Sequence, residues 1–187
     1  MTIPSLLIVD DNPADVDLLR DVFVELALAA RISVAINGQD AIDLLGRVLA
    51  GEAERPDAIV LDLNMPRVSG RDVLAHIKGT PALAAIPTII LTSSSSPKDR
   101  AECLALGADA YHTKPNRLAG LNELARTIHA HMTRGPEPMR ATAARPAAAA
   151  PGLIAWLTGM VIAASDRAGA AWVDAVVDPS SRVGTLP

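Results

Sequence analysis

The chain has little cysteine and few aromatic residues. Its single cysteine, Cys103, excludes an internal disulfide framework and any metal site built from several thiolates. Aromatic residues make up 2% of the 187 residues, so stacking platforms for nucleic-acid bases or sugars are not expected. Because hydrophobic residues still account for 50% of the chain, the sequence predicts a sizeable core made of Leu, Ile, Val and Ala.

The chain also lacks an excess of positive charge. Its lysines and arginines number 17 against 21 aspartates and glutamates, and the formal net charge is −4. A mildly acidic chain has no overall electrostatic footprint for nucleic acid, so we expect no nucleic-acid-binding function. The first residues show no basic start followed by a long apolar segment, so we expect no secretory signal and a cytoplasmic location.

The first two thirds of the chain alternate between short apolar runs and longer segments with helical spacing. The runs are rich in β-branched residues, which favours strands, and the longer segments repeat apolar residues three and four apart, which favours helices. The predicted strands are 6–9, 32–36, 58–61, 88–91 and 108–112. The predicted helices cover about 13–29, 38–49, 70–78, 98–106 and 116–131.

These strand–helix repeats predict an α/β domain with a parallel sheet covered by helices on both faces. Because crossovers between parallel strands are right-handed, the expected architecture is a doubly wound, three-layer sandwich. In such sheets, ligands bind beyond the carboxyl ends of the central strands. The residues that directly follow the apolar runs are therefore the candidates for function.

The composition changes after residue 133, where we expect the α/β domain of residues 1–133 to end. Residues 134–151 are rich in Pro and Ala and predict a linker. Residues 152–187 form an apolar C-terminal tail of unknown structure, with a short amphipathic helix expected around 172–177. The uncharged stretch 146–165 approaches the ~20 residues of a membrane span, but its first part is Ala and Pro, so we expect no span.

Polar residues stand directly after four of the apolar runs. Asp10 and Asp11 follow the first run, Asp62 the third, Thr92 the fourth and Lys114 comes after the fifth. Because the carboxyl ends of parallel strands share one edge of the sheet, we expect three carboxylates, a hydroxyl and an ammonium to converge there.

This combination of groups suits phosphoryl chemistry. Three carboxylates in close contact are unstable unless one takes up a proton or a cation neutralises them. Oxygen ligands without His or Cys select a hard ion, Mg²⁺ or Mn²⁺. A lysine and a hydroxyl can both meet phosphoryl oxygens, so the set fits phosphoryl transfer to or from a carboxylate.

The ordered set of motifs resembles the receiver domain of bacterial two-component response regulators over about residues 4–131. The resemblance is carried by Val9-Asp10-Asp11-Asn12, Leu61-Asp62-Leu63-Asn64-Met65-Pro66, Gly70, Leu91-Thr92-Ser93 and the segment 107–115. It implies a flavodoxin-like sheet with strand order 2-1-3-4-5. The segment 11–15 and the connection around 51–56 are similar to the small regulators paired with phytochrome-type kinases.

The resemblance implies a phosphoacceptor and a metal site. Asp62 would be the phosphoacceptor. Asp10, Asp11 and Asp62 would hold Mg²⁺, with Asp11 binding directly and Asp10 directly or through water. The backbone carbonyl of Asn64 would be a further ligand.

The resemblance also implies a switch. Lys114 would bridge to the acceptor or its phosphoryl group, and the peptide bond before Pro115 is often cis in this family. Thr92 would move to the phosphoryl group and Tyr111 would change rotamer, which would reshape the surface of the fourth helix, fifth strand and fifth helix. The phosphoryl donor would be a phosphohistidine on a sensor histidine kinase or phosphotransfer protein, and an apolar face on the last helix could support a homodimer.

Two other functions stay open on the sequence. Mg²⁺-dependent phosphatases with an aspartyl nucleophile carry Asp-x-Asp after the first strand, whereas Asp10 and Asp11 are adjacent and Asp62 follows the third strand. A flavin or nucleotide binder of this fold would need a Gly-rich phosphate loop after the first strand, and the sequence has none there. We therefore expect a phosphoacceptor in signalling rather than an enzyme acting on external substrates.

Overall fold

The computed structural model describes residues 3–133 and the backbone of residues 175–177. The chain order of the elements in these residues is β1 (Ser5–Val9), α1 (Pro13–Glu25), β2 (Ala30–Ala35), α2 (Gly38–Leu49), β3 (Ala58–Leu61), α3 (Gly70–Gly79), α4 (Pro81–Ala84), β4 (Thr88–Thr92), α5 (Pro97–Leu106), β5 (Ala110–Thr113), α6 (Leu118–Thr133) and β6 (Ala175–Val177). The predicted linker and most of the predicted tail, including the stretch 146–165, lie outside the described residues.

The sheet has the order β5-β4-β3-β1-β2-β6. Its first five strands in chain order pair in parallel, which confirms the predicted doubly wound sheet with order 2-1-3-4-5. β1 lies between β2 and β3, and Val9 at its end stands opposite Ala35 and Leu61. The ends of the central strands are thus level at the edge where the candidate residues begin.

A short sixth strand, β6, was not predicted. It pairs antiparallel with β2, with Val176 opposite Arg31, so the helix expected around 172–177 is wrong at Ala175–Val177. The outer edge of β2 presents backbone groups that need partners, and β-branched valines favour the extended backbone that supplies them. The spacing of apolar residues over six positions cannot predict a strand whose partner, β2, lies far away in the sequence.

The core consists of two clusters on opposite faces of the sheet, and β1 alternates between them. Leu7 and Val9 belong to the cluster covered by α2 to α5. Leu6 and Ile8 belong to the cluster covered by α1 and α6, which contains the only phenylalanine of the chain. This alternation follows from the two-residue period of a strand and explains why β1 is apolar on both faces.

The helix boundaries agree with the local signals, with one clear difference. Asn12 caps α1 through its side chain, which accepts a hydrogen bond from the amide of Ala14, and Pro13 occupies the first turn. α1 ends at Glu25 rather than at the predicted residue 29, because Ala27 adopts a left-handed φ of 52° that stops the helix. The described residues contain no cis peptide bond, so the bond before Pro115 is trans, an isomer that sequence alone does not determine.

The four-residue helix α4 also escaped the sequence pattern, since one turn is too short to show a period. Lys78 fixes this segment, because its ammonium donates to the carbonyl oxygens of Ala84 (3.2 Å) and Ile86 (3.0 Å). The same ammonium donates to Asp109 Oδ2 at 2.9 Å, and that oxygen also accepts the amide of Thr88. These bonds join α3, α4 and the starts of β4 and β5. They lie at the amino edge of the sheet, opposite the carboxyl edge that carries the candidate site.

Gly70, at the start of α3, allows a close approach to the backbone of Asp62. A Cβ atom at residue 70 would lie 2.0 Å from the carbonyl oxygen of Asp62, which is far inside van der Waals contact. The amide of Gly70 donates to the carbonyl oxygen of Leu63 at 3.1 Å. The lack of a side chain at residue 70 therefore allows the loop after β3 to pack directly against the start of α3.

We predict that Gly70→Ala lowers the free energy of unfolding by about 2 kcal/mol or more, because the new methyl group forces a backbone shift at Asp62. The matched control is Gly46→Ala in the exposed middle of α2, where a Cβ meets no atom within 4 Å. That change should raise stability by about 0.5–1 kcal/mol through helix propensity. Urea unfolding of both variants measures the difference, and equal effects would contradict the close approach.

Candidate functional site

The candidate residues meet at the carboxyl edge of the sheet. The amide of Asp10 donates to the carbonyl oxygen of Ala35 at 3.1 Å, and the amide of Asp62 donates to that of Val9 at 2.9 Å. These backbone bonds continue the strand pairing by one residue and place both aspartates directly at the strand ends. Asp10 and Asp62 are each only 5% exposed.

Three carboxylates face one another at this edge. Oxygen atoms of Asp10, Asp11 and Asp62 all lie within 4.8 Å of one another, and Asp11 is the exposed member. Asp10 Oδ1 accepts the amide of Asn12 at 2.9 Å, and Asp62 Oδ1 accepts the amide of Leu63 at 2.8 Å. Each buried carboxylate thus has one oxygen held by backbone and the other free to meet a charge.

Lys114 brings a positive charge to these oxygens from the end of β5. Its Nζ lies 2.8 Å from Asp10 Oδ2 and 3.5 Å from Asp62 Oδ2. It also lies 2.7 Å from Asp15 Oδ2, on the first turn of α1. The amide of Lys114 donates to the carbonyl oxygen of Thr92 at 2.8 Å, which holds the lysine beside the end of β4.

Two pKa values in this cluster are shifted upward, each for a different reason. Burial raises the pKa of Asp10, and the opposing effects of Lys114 and the Asn12 amide do not cancel that rise. Burial alone would lower the pKa of Lys114, but hydrogen bonds to Asp10 and Asp15 and the charges of Asp10 and Asp62 outweigh it and raise this pKa. Lys114 therefore stays protonated, whereas burial makes ionisation of the Asp10 carboxyl less favourable than it is in water.

The donor set and its spacing fit a small divalent cation. Mg²⁺ binds oxygens at about 2.0–2.1 Å, so two oxygens on one ion lie at most about 4.2 Å apart. The three carboxylates are within small side-chain adjustments of that separation. No His or Cys takes part in the cluster, which favours Mg²⁺ or Mn²⁺ over softer ions.

Asn64 links the loop after β3 to the end of β4. Its Nδ2 donates to Thr92 Oγ1 and to Ser93 Oγ, both at 3.3 Å. Thr92 is fully buried, and its Oγ1 also accepts the amide of Ser94 at 3.3 Å. The hydroxyl thus lies at the sheet edge, and the role of the Asn64 carbonyl as a ligand stays a prediction.

Tyr111 connects β5 to the loop after Thr92. Its ring is buried, and its hydroxyl donates to the carbonyl oxygen of Ser94 at 2.9 Å. Arg100 holds the tyrosine from α5, since its Nη1 donates to the Tyr111 carbonyl at 3.1 Å and its guanidinium lies 5.8 Å from the ring centre. Movement of the loop after Thr92 and movement of the Tyr111 ring are therefore physically linked.

A second set of bonds fixes the same loop. Ser94 Oγ donates to Asp99 Oδ2 at 2.6 Å, and Arg71 Nη2 on α3 donates to Asp99 Oδ1 at 2.5 Å. These contacts tie the loop to both α3 and α5. Neither Arg71 nor Asp99 stands out in the sequence, because their contact joins residues that are 28 positions apart.

The sequence alone gives Asp15 no role, although this residue lies in the segment 11–15 that carries part of the resemblance. The structure places its carboxylate on Lys114. The sequence feature that could have pointed to Asp15 is its position in the first turn of α1, the helix that begins just after Asp10 and Asp11. That signal alone suggests only a favourable interaction with the helix dipole.

None of the helices in the described residues has the length and hydrophobicity that crossing a bilayer requires. The stretch 146–165 lies outside the described residues. The expectation that it forms no span therefore stays a prediction.

Comparisons with known proteins agree with this geometry. Residues 6–126 match the family model described as "Response regulator receiver domain". The chain is 34% identical over 126 residues to the response regulator Rcp1 of Synechocystis, covering 66% of this chain and 84% of that protein.

Two solved structures are similar in sequence and in fold. The Mn²⁺-bound form of Rcp1 superimposes with a TM-score of 0.61 and 31% identity, over 68% of this chain and 92% of that one. The phosphorylated cyanobacterial phytochrome response regulator RcpA superimposes with a TM-score of 0.66 and 29% identity, over 74% of this chain and 100% of that one.

We predict that Asp10→Asn raises the stability of the metal-free protein at pH 7 by about 1 kcal/mol, because it removes a buried negative charge from a crowded site. Since the pKa of Asp10 is raised in the folded state, its ionisation destabilises the fold as the pH rises above 3.8, its ordinary pKa. The gain from Asn should therefore vanish at pH values below that.

Thermal unfolding from pH 3 to pH 8, with and without Mg²⁺, measures this effect. Added Mg²⁺ should stabilise the parent more than the variant, because a ligand that binds only the folded state shifts unfolding by mass action. A variant that is less stable than the parent at pH 7 without metal would contradict the prediction.

Proposed function

This chain belongs to the response regulator receiver family, and on that basis we propose that it is a cytoplasmic response regulator that accepts a phosphoryl group on Asp62. The proposed donor is a phosphohistidine on a sensor histidine kinase or on a phosphotransfer protein. The family is a signalling family whose receiver domains are phosphorylated. What we propose for this chain in particular is the acceptor residue, the phosphoryl donor and the metal ion.

The position of Asp62 carries the proposal. Its carboxylate is buried at the end of a central strand, with one oxygen held by the Leu63 amide and the other 3.5 Å from Lys114. Asp10 and Asp11 lie close enough to share a cation with it. A nucleophilic oxygen, a fixed ammonium and a cation site together are what an in-line phosphoryl transfer needs.

In the proposed reaction, an oxygen of Asp62 forms a bond to phosphorus while the bond from phosphorus to the donor imidazole nitrogen breaks. The imidazole nitrogen keeps the electron pair of the broken bond. Lys114 neutralises charge on the equatorial phosphoryl oxygens, and the hydroxyl of Thr92 donates a hydrogen bond to one of them. Mg²⁺, held by Asp10, Asp11, Asp62 and the backbone carbonyl of Asn64, would supply further positive charge.

The proposed output is a change in the surface formed by α5, β5 and α6. A phosphoryl group adds about 1.5 to 2 negative charges and would draw Thr92 toward it. Because Asn64 and Ser94 contact Thr92, and Ser94 accepts the Tyr111 hydroxyl, the loop and the tyrosine would respond together. A partner that binds the two arrangements differently would then report phosphorylation.

The partner classes follow from the same observations. The similarity to Rcp1 and RcpA supports a phytochrome-type kinase as the donor. Exposed leucines on α5 and at the start of α6 suit a second copy of the chain: Leu104, Leu106 and Leu118. The net charge of −4 supports a protein partner rather than nucleic acid.

Phosphatase chemistry receives no support from the site. The buried carboxylate proposed as the nucleophile, Asp62, follows β3 rather than β1, and Asp10 and Asp11 lack the spacing of the phosphatase motif. The proposed protein therefore promotes only its own phosphorylation and dephosphorylation.

We predict that Asp62→Asn abolishes phosphoryl uptake, because the amide cannot act as the nucleophile. Parent and variant are incubated with acetyl phosphate and Mg²⁺, and the mass increase of a phosphoryl group is measured by intact-protein mass spectrometry. The control Asp43→Asn changes an exposed carboxylate on α2 that accepts a bond from Gln39, and it should react like the parent. Uptake by Asp62→Asn at the parent rate would overturn the proposal.

We further predict that a chain ending after residue 133 keeps metal binding and phosphorylation, because every proposed site residue lies before that point. It should lose some stability, since removing β6 leaves the outer edge of β2 unpaired. Phosphorylation rates and thermal unfolding of the two chains measure both effects. Loss of phosphorylation in a folded short chain would show that the C-terminal region contributes to the site.

A further inference from the structure

Three carboxylates surround the ammonium of Lys114, and they lie at different distances from it. Its ammonium lies 2.7 Å from Asp15 Oδ2 and 2.8 Å from Asp10 Oδ2, which are charge-assisted hydrogen bonds. It lies 3.5 Å from Asp62 Oδ2, which is beyond a normal bond of this kind. The lysine is therefore held on the α1 side of the site and away from the proposed phosphoacceptor.

Asp15 is well placed to hold the lysine there. Its Oδ2 accepts Lys114 Nζ and also Asn12 Nδ2 at 2.9 Å, so the carboxylate is fixed from both sides. Its side chain is 33% exposed, whereas those of Asp10 and Asp62 are 6% exposed. Asp15 lies outside the cluster of three carboxylates that fits a cation, so its contact with Lys114 is separate from that site.

We propose that Asp15 is a positioning residue that holds the ammonium of Lys114 off Asp62 until a phosphoryl group arrives. The inference rests on the proposed function of Asp62 as the acceptor. A phosphoryl group on Asp62 competes for the same ammonium with more negative charge than Asp15 carries. Release of Lys114 from Asp15 then accompanies phosphorylation, and the Asp15 contact stabilises the unphosphorylated state.

A purely local role for Asp15 makes different predictions. The cap of α1 is Asn12, whose Oδ1 accepts the amide of Ala14, so Asp15 is not the capping residue. As an acidic residue in the first turn it interacts favourably with the helix dipole. Loss of that interaction would lower the melting temperature but would leave the position of Lys114 and the phosphorylation rate unchanged.

The first test is the crystal structure of metal-free Asp15→Asn, which keeps the shape and an acceptor for Asn12 but removes the charge. We expect Lys114 Nζ to move to about 2.7–2.9 Å from Asp62 Oδ2, the range of a charge-assisted bond. A second variant, Asp15→Ala, removes the acceptor as well and should give the same shift. Lys114 remaining at 3.5 Å from Asp62 in both variants would overturn the inference, whatever the phosphorylation assay shows.

The second test is the initial rate of phosphorylation by acetyl phosphate at saturating Mg²⁺. We expect Asp15→Asn to react roughly twofold to fivefold faster than the parent, which is the size of a partly exposed ion pair. The matched control is Asp17→Asn, an exposed carboxylate on the same helix whose contact is Arg20 at 3.8 Å, and it should match the parent. A rate equal to or below the parent rate would contradict the inference.

The two tests separate failure of the inference from failure of the proposed function. If the parent takes up no phosphoryl group, the proposed function fails, and the position of Lys114 in the variants still decides whether Asp15 holds it. If the parent reacts but Asp15→Asn neither shifts Lys114 nor changes the rate, the proposed function stands and only the inference is overturned.

Discussion

The candidate site at the carboxyl edge of the sheet depends on which of the surrounding carboxylates bind the single ammonium group of Lys114. Lys114 bonds to Asp10 and Asp15 and lies farther from Asp62. Negative charges of this kind repel one another, and burial strengthens the repulsion because water no longer screens it. The arrangement is therefore poised to accept added positive charge, and it responds strongly to any group that draws the lysine away.

The buried parallel sheet imposes this crowding. The last four residues of β1 and all four residues of β3 are apolar and buried, so the next polar residue of each chain segment stands directly at the carboxyl end of its strand. Pairing of β1 with both β2 and β3 makes these ends level, and the next backbone hydrogen bonds place Asp10 and Asp62 side by side. The stability of the sheet thus supports carboxylates that would not gather in the same way in water.

A continuous set of contacts leads from the acidic edge to the surface. Asn64 and the amide of Ser94 reach Thr92, and the carbonyl of Ser94 accepts the Tyr111 hydroxyl. Tyr111 lies in β5, where Arg100 from α5 contacts both its carbonyl and its ring. The ends of the central strands and the arrangement of β5 and α5 are therefore joined by a few defined bonds.

The residue pattern along the chain predicts the five parallel strands, the five longer helices and the polar residues at the strand ends, and the family resemblance adds the strand order. The pattern is local, because apolar period, caps such as Asn12 and the position of the first polar residue are all readable along the chain. Tertiary packing alone brings Asp15 to Lys114, Asp99 to Arg71 and β6 to β2. Each of these contacts joins distant residues, and its partner is set by how the elements pack rather than by any neighbour in sequence.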